Sequence, residues 1–533
     1  MKLNQKNIWL STIVLVAIVF VLNLILQGNF LRMDLTETGK YSISDVTEEV
    51  LLEIDDPVLV KIYYSEKFPR QLIAVKQYVM DILDEYRAYA GNRLEYEFIE
   101  ITGEDKEVEQ EAIRLGVQPV QANITESDEI KVQRIFLGIV FLYGDEKEVI
   151  PFAQNIDQLE YDMTGAIKKL IAESTPKVGW LTGHGEPELF GNQGLQKALG
   201  EIRKNYELSP VNLKTVNKID SDLELLILMS PSEEFAAAEL YKLDQYIMAG
   251  GKLAVFAGTK NIDLQNQFMP VQDNPQNLND LFRSYGFSID DRLLMDRQSY
   301  QVQAMQSLGP IQIPVSVDYP YAPRLTNFNT ANPIVSRLTE VGFFFANQIN
   351  SQLDSNDTSV RFTELVRTSE KTGYAMPDPR TRMINIQVNT EMPDFMFREK
   401  NRPVAALIEG SFQSHFGPVK PDSILFTETH IGQSIAEGKI IVVGSGTLSN
   451  PQFMVPTTMT FLLNTIDWLY DENGLISIRS KDINPKQLEE TDAATKAIIK
   501  WLNILLAPAL VVLFGLIRSF TRRKAKKLAG GNA

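Results

Sequence analysis

Lys177 to Glu186, KVGWLTGHGE, reads as a short apolar strand running directly into a turn with a glycine on either side of a histidine. Downstream, Leu223 to Met229 (LELLILM) and Lys252 to Phe256 (KLAVF) read as two more strands. A helix around Leu195 to Lys204 separates the first pair. The turn SPSEE, able to cap a helix, and the register Leu240, Leu243 and Ile247, closed by Gly250 and Gly251, separate the second. Strands alternating with helices predict an α/β fold built on a doubly wound, mostly parallel sheet. From about Ser284 short strands, turns and prolines take over, with polar stretches such as Asn347 to Ser359, predicting a β-rich insertion or extension. Regular α/β returns with Arg402 to Glu409 (RPVAALIE), a strand at Lys439 to Val443 and a helix over Thr457 to Leu469.

Upstream, Ser44 or Asp45 can cap a helix carrying Val46, Val50, Leu51 and Ile54, and Pro57 stops it. Val58 to Tyr64 reads as a strand. Leu72, Val75, Val79, Ile82, Leu83 and Tyr86 recur at helical spacing, and Leu94 to Ile101 (LEYEFIEI) alternates at period two. A second helix over about Asp105 to Leu115, a loop with Pro119, and a hairpin of Ile135 to Tyr143 with Glu148 to Phe152 complete the order β-α-β-α-β-β. That order predicts a thioredoxin-like domain. The chain has no cysteine, so thiol redox chemistry is excluded. A linking helix over Gln158 to Glu173 leads into the second α/β region.

The ends predict location. Ile8 to Leu26 is uncharged over a length that nearly crosses a hydrocarbon core, and Trp501 to Ile517 is a second such run. Lys2 and Lys6 precede the first; Arg518, Arg522, Arg523, Lys524, Lys526 and Lys527 follow the second. By the positive-inside rule both termini are expected in the cytoplasm, with the large middle part between the two runs outside. The chain carries a net charge of −16, and these eight basic residues leave −24 for the rest. An acidic exterior argues against nucleic acid. The expected organisation is an N-terminal transmembrane anchor (1–29), the thioredoxin-like domain (30–157), a first α/β part (158–285), the β-rich insertion (286–400), a last α/β part (401–490), a C-terminal transmembrane helix (497–518) and a basic tail (519–533).

Ligands of doubly wound sheets bind beyond the carboxyl ends of the strands, which singles out Gly183, His184, Gly185 and Glu186 as candidate ligand-binding residues. A histidine beside a glutamate can do acid/base work; equally, two glycines allow a tight turn in which His184 only bonds nearby backbone. Ser445, between Gly444 and Gly446 after another strand, is a second candidate. No GxxxxGK[ST] phosphate loop, HExxH or GxSxG occurs, and His184, His415 and His430 are scattered in sequence. No catalytic residue, metal site or cofactor is expected.

Five segments in order carry a resemblance: RMDLTETGKYSIS (Arg32 to Ser44), PVLVKIYYS (Pro57 to Ser65), LEYDMTGAIKKL (Leu159 to Leu170), TGHGE (Thr182 to Glu186) and FLLNTIDWLYDENGLISIR (Phe461 to Arg479). Together they resemble the auxiliary, so-called substrate-binding, component of gliding-motility-associated ABC transporters. The resemblance implies a partner permease and a separate cytoplasmic ATPase, a place in the bacterial inner membrane with the large middle part on the periplasmic side, and an α/β part like the class I glutamine-amidotransferase fold. Active members of that fold use a cysteine nucleophile on a strand-to-helix elbow; without cysteine this chain cannot. The expected function is that of a non-enzymatic auxiliary subunit. The alternatives are an envelope module whose loops at His184 and Ser445 bind a glycan or peptide, and a hydrolase using His184 with Glu186.

Overall fold

The computed structural model describes residues 42–479 apart from the short segments 103–104, 127–128, 173–174, 191–194, 264–269, 309–310, 355–357, 378–379, 381–383, 385, 387–391, 425–428, 451–452 and 472–473. The chain divides into two compact units, Met1–Ile483 and Asn484–Ala533. Every described residue belongs to the first.

Helix α1 (Asp45–Leu52) starts at Ser44, whose hydroxyl accepts from the Thr47 N–H. Strand β1 (Val58–Ser65) follows, then α2 (Arg70–Ala90), β2 (Leu94–Ile101), α3 (Lys106–Leu115), the hairpin β3 (Val120–Glu126) and β4 (Glu129–Ile135), and the hairpin β5 (Leu137–Tyr143) and β6 (Glu146–Ile150). The first sheet has the order β2-β1-β5-β6, with β1 parallel to β2 and antiparallel to β5. Alternation divides its strands. Val58, Val60 and Ile62 join Leu137, Ile139 and Phe141 in one core, whereas Tyr63 and Val140 face another with Ala112 and Val117.

Helix α4 (Ile156–Ile171) links this sheet to the next elements: β7 (Lys177–Thr182), α5 (Gln196–Asn205), β8 (Glu207–Asn212), β9 (Leu225–Met229), α6 (Ala237–Met248) and β10 (Lys252–Phe256). A small antiparallel pair, β11 (Lys260–Ile262) and β12 (Val271–Asp273), precedes α7 (Leu278–Ser284). Then come β13 (Phe287–Asp296), the long hairpin β14 (Ser299–Leu308) and β15 (Ile311–Leu325), β16 (Asn327–Phe328), β17 (Val341–Gly342), β18 (Asn347–Ser351), β19 (Val360–Arg367) and β20 (Thr372–Tyr374). Strands β21 (Pro403–Gly410) and β22 (Gly438–Val443), α8 (Pro456–Tyr470) and α9 (Leu475–Arg479) complete the described chain.

The large sheet has eight strands in the order β16-β19-β21-β22-β10-β9-β7-β8. From β22 to β8 neighbours run parallel, and β16, β19 and β21 extend the edge antiparallel. Both faces are buried, as near-continuous apolar strands require. Along β9, Leu225, Ile227 and Met229 face α5 and α8, while Leu226 and Leu228 face α6 and α7. Val178 and Trp180 of β7 lie on the first face; the buried Trp180 indole donates to the Pro187 carbonyl at 2.9 Å, tying the strand to the loop beyond it.

The architecture is mixed α/β and strand-rich, and this corrects the expectation of thioredoxin-like and amidotransferase-like domains flanked by transmembrane helices. Among the described residues no helix is long and apolar enough to cross a membrane. The longest described helix, α2, has 21 residues but carries Lys76, Asp81, Asp84, Glu85 and Arg87 along its length. The apolar runs at 8–26 and 501–517 and the basic tail lie outside the described residues. The placement in a bacterial inner membrane, with both termini cytoplasmic and a periplasmic middle, is not supported, because no described helix can span a membrane.

Candidate functional site

The turn after β7 is shaped by two glycines with positive φ, Gly183 at 109° and Gly185 at 81°. They fold Thr182–Glu186 back so that the His184 ring points into the protein, where it is fully buried. The ring stacks on Phe235, with centroids 3.8 Å apart and planes 17° off parallel. His184 Nε2 lies 3.0 Å from Glu239 Oε2, and since a carboxylate only accepts, the imidazole donates there. Glu186 turns back on the same turn and accepts the His184 backbone N–H at 2.6 Å. The His184 carbonyl accepts the N–H groups of Ser232 and Glu233 at 2.8 and 3.0 Å, locking the β7 turn to the β9 turn.

Glu239 sits in the first turn of α6 and also accepts the N–H of Ala236, the N-cap residue, at 2.7 Å. Ala236, not the SPSEE segment, therefore opens this helix. Burial pushes the Glu239 carboxyl up, but the Ala236 N–H and the His184 ring outweigh it and hold the group below its ordinary value. His184 Nδ1 and Glu186 Oε1 face each other at 3.7 Å, too far for a hydrogen bond, and neither atom has another partner among the described residues. The cluster is closed: His184 is 0% and Glu186 8% exposed.

Ser445, in the turn after β22, is equally enclosed, and its hydroxyl donates to the Phe344 carbonyl at 2.7 Å. Strands β10 and β9 stand between β22 and β7, so the two candidate loops occupy different places along the sheet end. The other two histidines also serve structure. His415 Nδ1 meets the Ser284 hydroxyl at 2.9 Å, and His430 donates from Nε2 to the Gly417 carbonyl while its Nδ1 accepts from Tyr241. Among the described residues no group of three His, Asp or Glu is arranged to hold a metal ion.

Open space lies elsewhere at this end of the sheet, bordered mostly by residues that the sequence reading did not name as a site. A cavity of about 190 Å³ lies beyond the carboxyl ends of β9, β10 and β22, walled by Ser230, Lys260, Asn274, Phe345, Thr447 and Phe453 among others. Ser230, the first residue after β9, has φ 54°, and Phe345 has φ 49°. The Ser230 hydroxyl donates to the Gly446 carbonyl, a group that cannot take its proton as a base would. A hint was present in Ser230-Pro231 directly behind the apolar LLILM. The backbone geometry that makes it a wall was not.

Residues 175–475, more than half of the chain, match the family described as an ABC-type uncharacterized transport system. Residues 37–142 match a domain of unknown function, DUF7088. Over 541 aligned residues the chain is 23% identical to a Borreliella burgdorferi protein described as uncharacterized, with 98% of this chain and 99% of that one covered. Among solved structures, the mmIFT52 N-terminal domain is similar over 55% of this chain and 97% of its own, at 16% identity and a TM-score of 0.32, a likeness too distant to bear on the fold.

Proposed function

Since the chain belongs to the family of ABC-type transport system auxiliary components, we propose that it is a non-enzymatic subunit that works with a separate permease and a separate ATPase. The observation that carries the non-enzymatic part is the enclosure of His184, Glu186 and Ser445 in partnerships internal to the fold. A nucleophile needs a base within reach and an open approach to its substrate. Ser230 borders a cavity but donates to a carbonyl. The sequence also lacks the phosphate loop with which an ATPase grips its nucleotide, so a transport system containing this chain draws its energy from another subunit.

The test is affinity purification of the tagged full chain from its own cells. A multi-span permease and a P-loop ATPase are expected together in the eluate; recovery of neither, under conditions that preserve other ABC complexes, would remove the subunit assignment. The resemblance to gliding-motility transporters supports motility as one output of such a complex. Deleting the coding sequence and measuring surface translocation separates that role from transport alone.

A further inference from the structure

We propose that the cavity beyond β9, β10 and β22 is a binding site for a small organic carboxylate with an apolar body, the carboxylate lying toward Lys260 and the body on Phe345 and Phe453. Three neighbouring parallel strands contribute their ends: Ser230 follows β9, Gly258 and Lys260 follow β10, and Gly446 and Thr447 follow β22. This is where open α/β sheets hold ligands. The site is also the place where the backbone is forced. Ser230 and Phe345 are two of the three non-glycine residues with positive φ among the described residues, and both wall this cavity. Such conformations are unfavourable and persist where the surrounding structure holds them, typically at ligand sites. Here the Ser230 N–H is held by the Phe256 carbonyl at 2.7 Å and the Phe345 N–H by the Tyr321 carbonyl at 2.8 Å.

The chemistry of the wall selects the ligand. In a chain of net charge −16, no carboxylate among the described residues lines this cavity, and Lys260 supplies a cation. Its ammonium pairs with Asp273, but the two environments differ. The Lys260 side chain is 13% exposed and Asp273 87%, so the aspartate is a solvated partner that a ligand carboxylate can replace at little cost. Phe345, Phe453 and Ile262 form an apolar side, the two rings edge to face with centroids 5.7 Å apart. Asn274 donates to the Pro231 and Gly258 carbonyls at 2.8 and 3.0 Å and fixes the two loops between which a ligand enters. An apolar cavity of about 150 Å³ takes up benzene. The volume of about 190 Å³ therefore suits one ring with a short acidic arm.

The experiment titrates the full chain with phenylacetate and with its uncharged isostere phenylacetamide by calorimetry. A charge-assisted contact is expected to make the acid bind about tenfold more tightly than the amide. Lys260→Gln is expected to abolish that preference, and Phe453→Ala to weaken both probes. Asp273→Asn, a change at an exposed position, is expected to tighten phenylacetate severalfold by removing its competitor. Acetylglycyl-phenylalanine asks whether the carboxylate comes from a peptide terminus or a free acid: binding as tight as phenylacetate supports the first source, and binding much weaker supports the second. Equal affinity for acid and amide, a preference that survives Lys260→Gln, an unchanged affinity in Asp273→Asn, or no binding of either probe at about 10 mM would overturn the site. Circular dichroism of each variant separates a lost site from a lost fold.

Discussion

His184 Nε2 and Glu239 Oε2 stand 3.0 Å apart where solvent does not reach the ring, joining the turn after β7 to the first turn of α6 across 55 residues of sequence. Truncating the histidine removes a donor from Glu239 and opens a space against Phe235. His184→Ala is therefore expected to lower the unfolding free energy by about 2–4 kcal/mol, read from urea denaturation. A loss below about 0.5 kcal/mol would mean that the turn is held by its backbone bonds alone.

Glu239 also makes stability depend on pH. Its folded pKa lies below the ordinary value of 4.5, so its contribution is fully present above that value and is lost as pH falls through the lower, folded one. Denaturation midpoints of the native chain and of Glu239→Gln, followed from pH 6 downward, should converge over that acidic window. Parallel curves would show that the carboxylate gains nothing from its charge.

Part of this was legible beforehand. The bounds read for β2, β7 and β10 coincide with the observed strands, because each is a short apolar or alternating run between residues that end it. The β3–β4 hairpin lies in a stretch read as loop, although Val120, Ala122 and Ile124 in one strand and Ile130 and Val132 in the other alternate with polar residues at period two, a strand signal that the sequence reading passes over. Gly183 and Gly185 announced the turn after β7. That the turn faces inward is decided by Phe235 and Glu239, more than fifty residues away, and no local pattern reports such a contact. The cavity was invisible for the same reason: Ser230 and Phe345 have positive φ, and their backbone N–H groups donate to the distant carbonyls of Phe256 and Tyr321.

Asp467 of α8 accepts Tyr161 from α4 at 3.0 Å and Tyr206 at 2.9 Å while only 2% exposed, and Lys168 pairs with Asp471 at 2.7 Å nearby. These contacts tie the linking helix to the large sheet. Tyr161→Phe and Tyr206→Phe are each expected to cost about 1 kcal/mol. Asp467→Ala, which removes the acceptor of both hydroxyls, is expected to cost about 2–5 kcal/mol. The decisive reading is a double-mutant cycle: Tyr161→Phe should cost much less in the Asp467→Ala background, whereas strict additivity would mean the hydroxyl and the carboxylate act independently.

Two glycines with left-handed backbone allow conformational strain to be separated from crowding. Gly144, in the β5–β6 turn, has φ 58°, and a Cβ added there would meet nothing within 4 Å. Gly185 has φ 81°, and a Cβ added there would lie 2.0 Å from the Ser232 hydroxyl oxygen, whose own backbone N–H is engaged by the His184 carbonyl. Gly144→Ala thus meets only the left-handed penalty of roughly 1–2 kcal/mol. Gly185→Ala meets that penalty and must also displace Ser232, which loosens the bond between the β7 and β9 turns. Its cost is expected to exceed that of Gly144→Ala by at least about 1 kcal/mol in the same denaturation assay. Adding Ser232→Ala or Ser232→Gly to Gly185→Ala should recover part of the difference, because it removes the atom in the way. If the two alanine variants were equally stable, the close approach of Gly185 to Ser232 would not be what keeps the His184 turn folded inward, and the enclosure of that histidine would have to rest on its ring contacts instead.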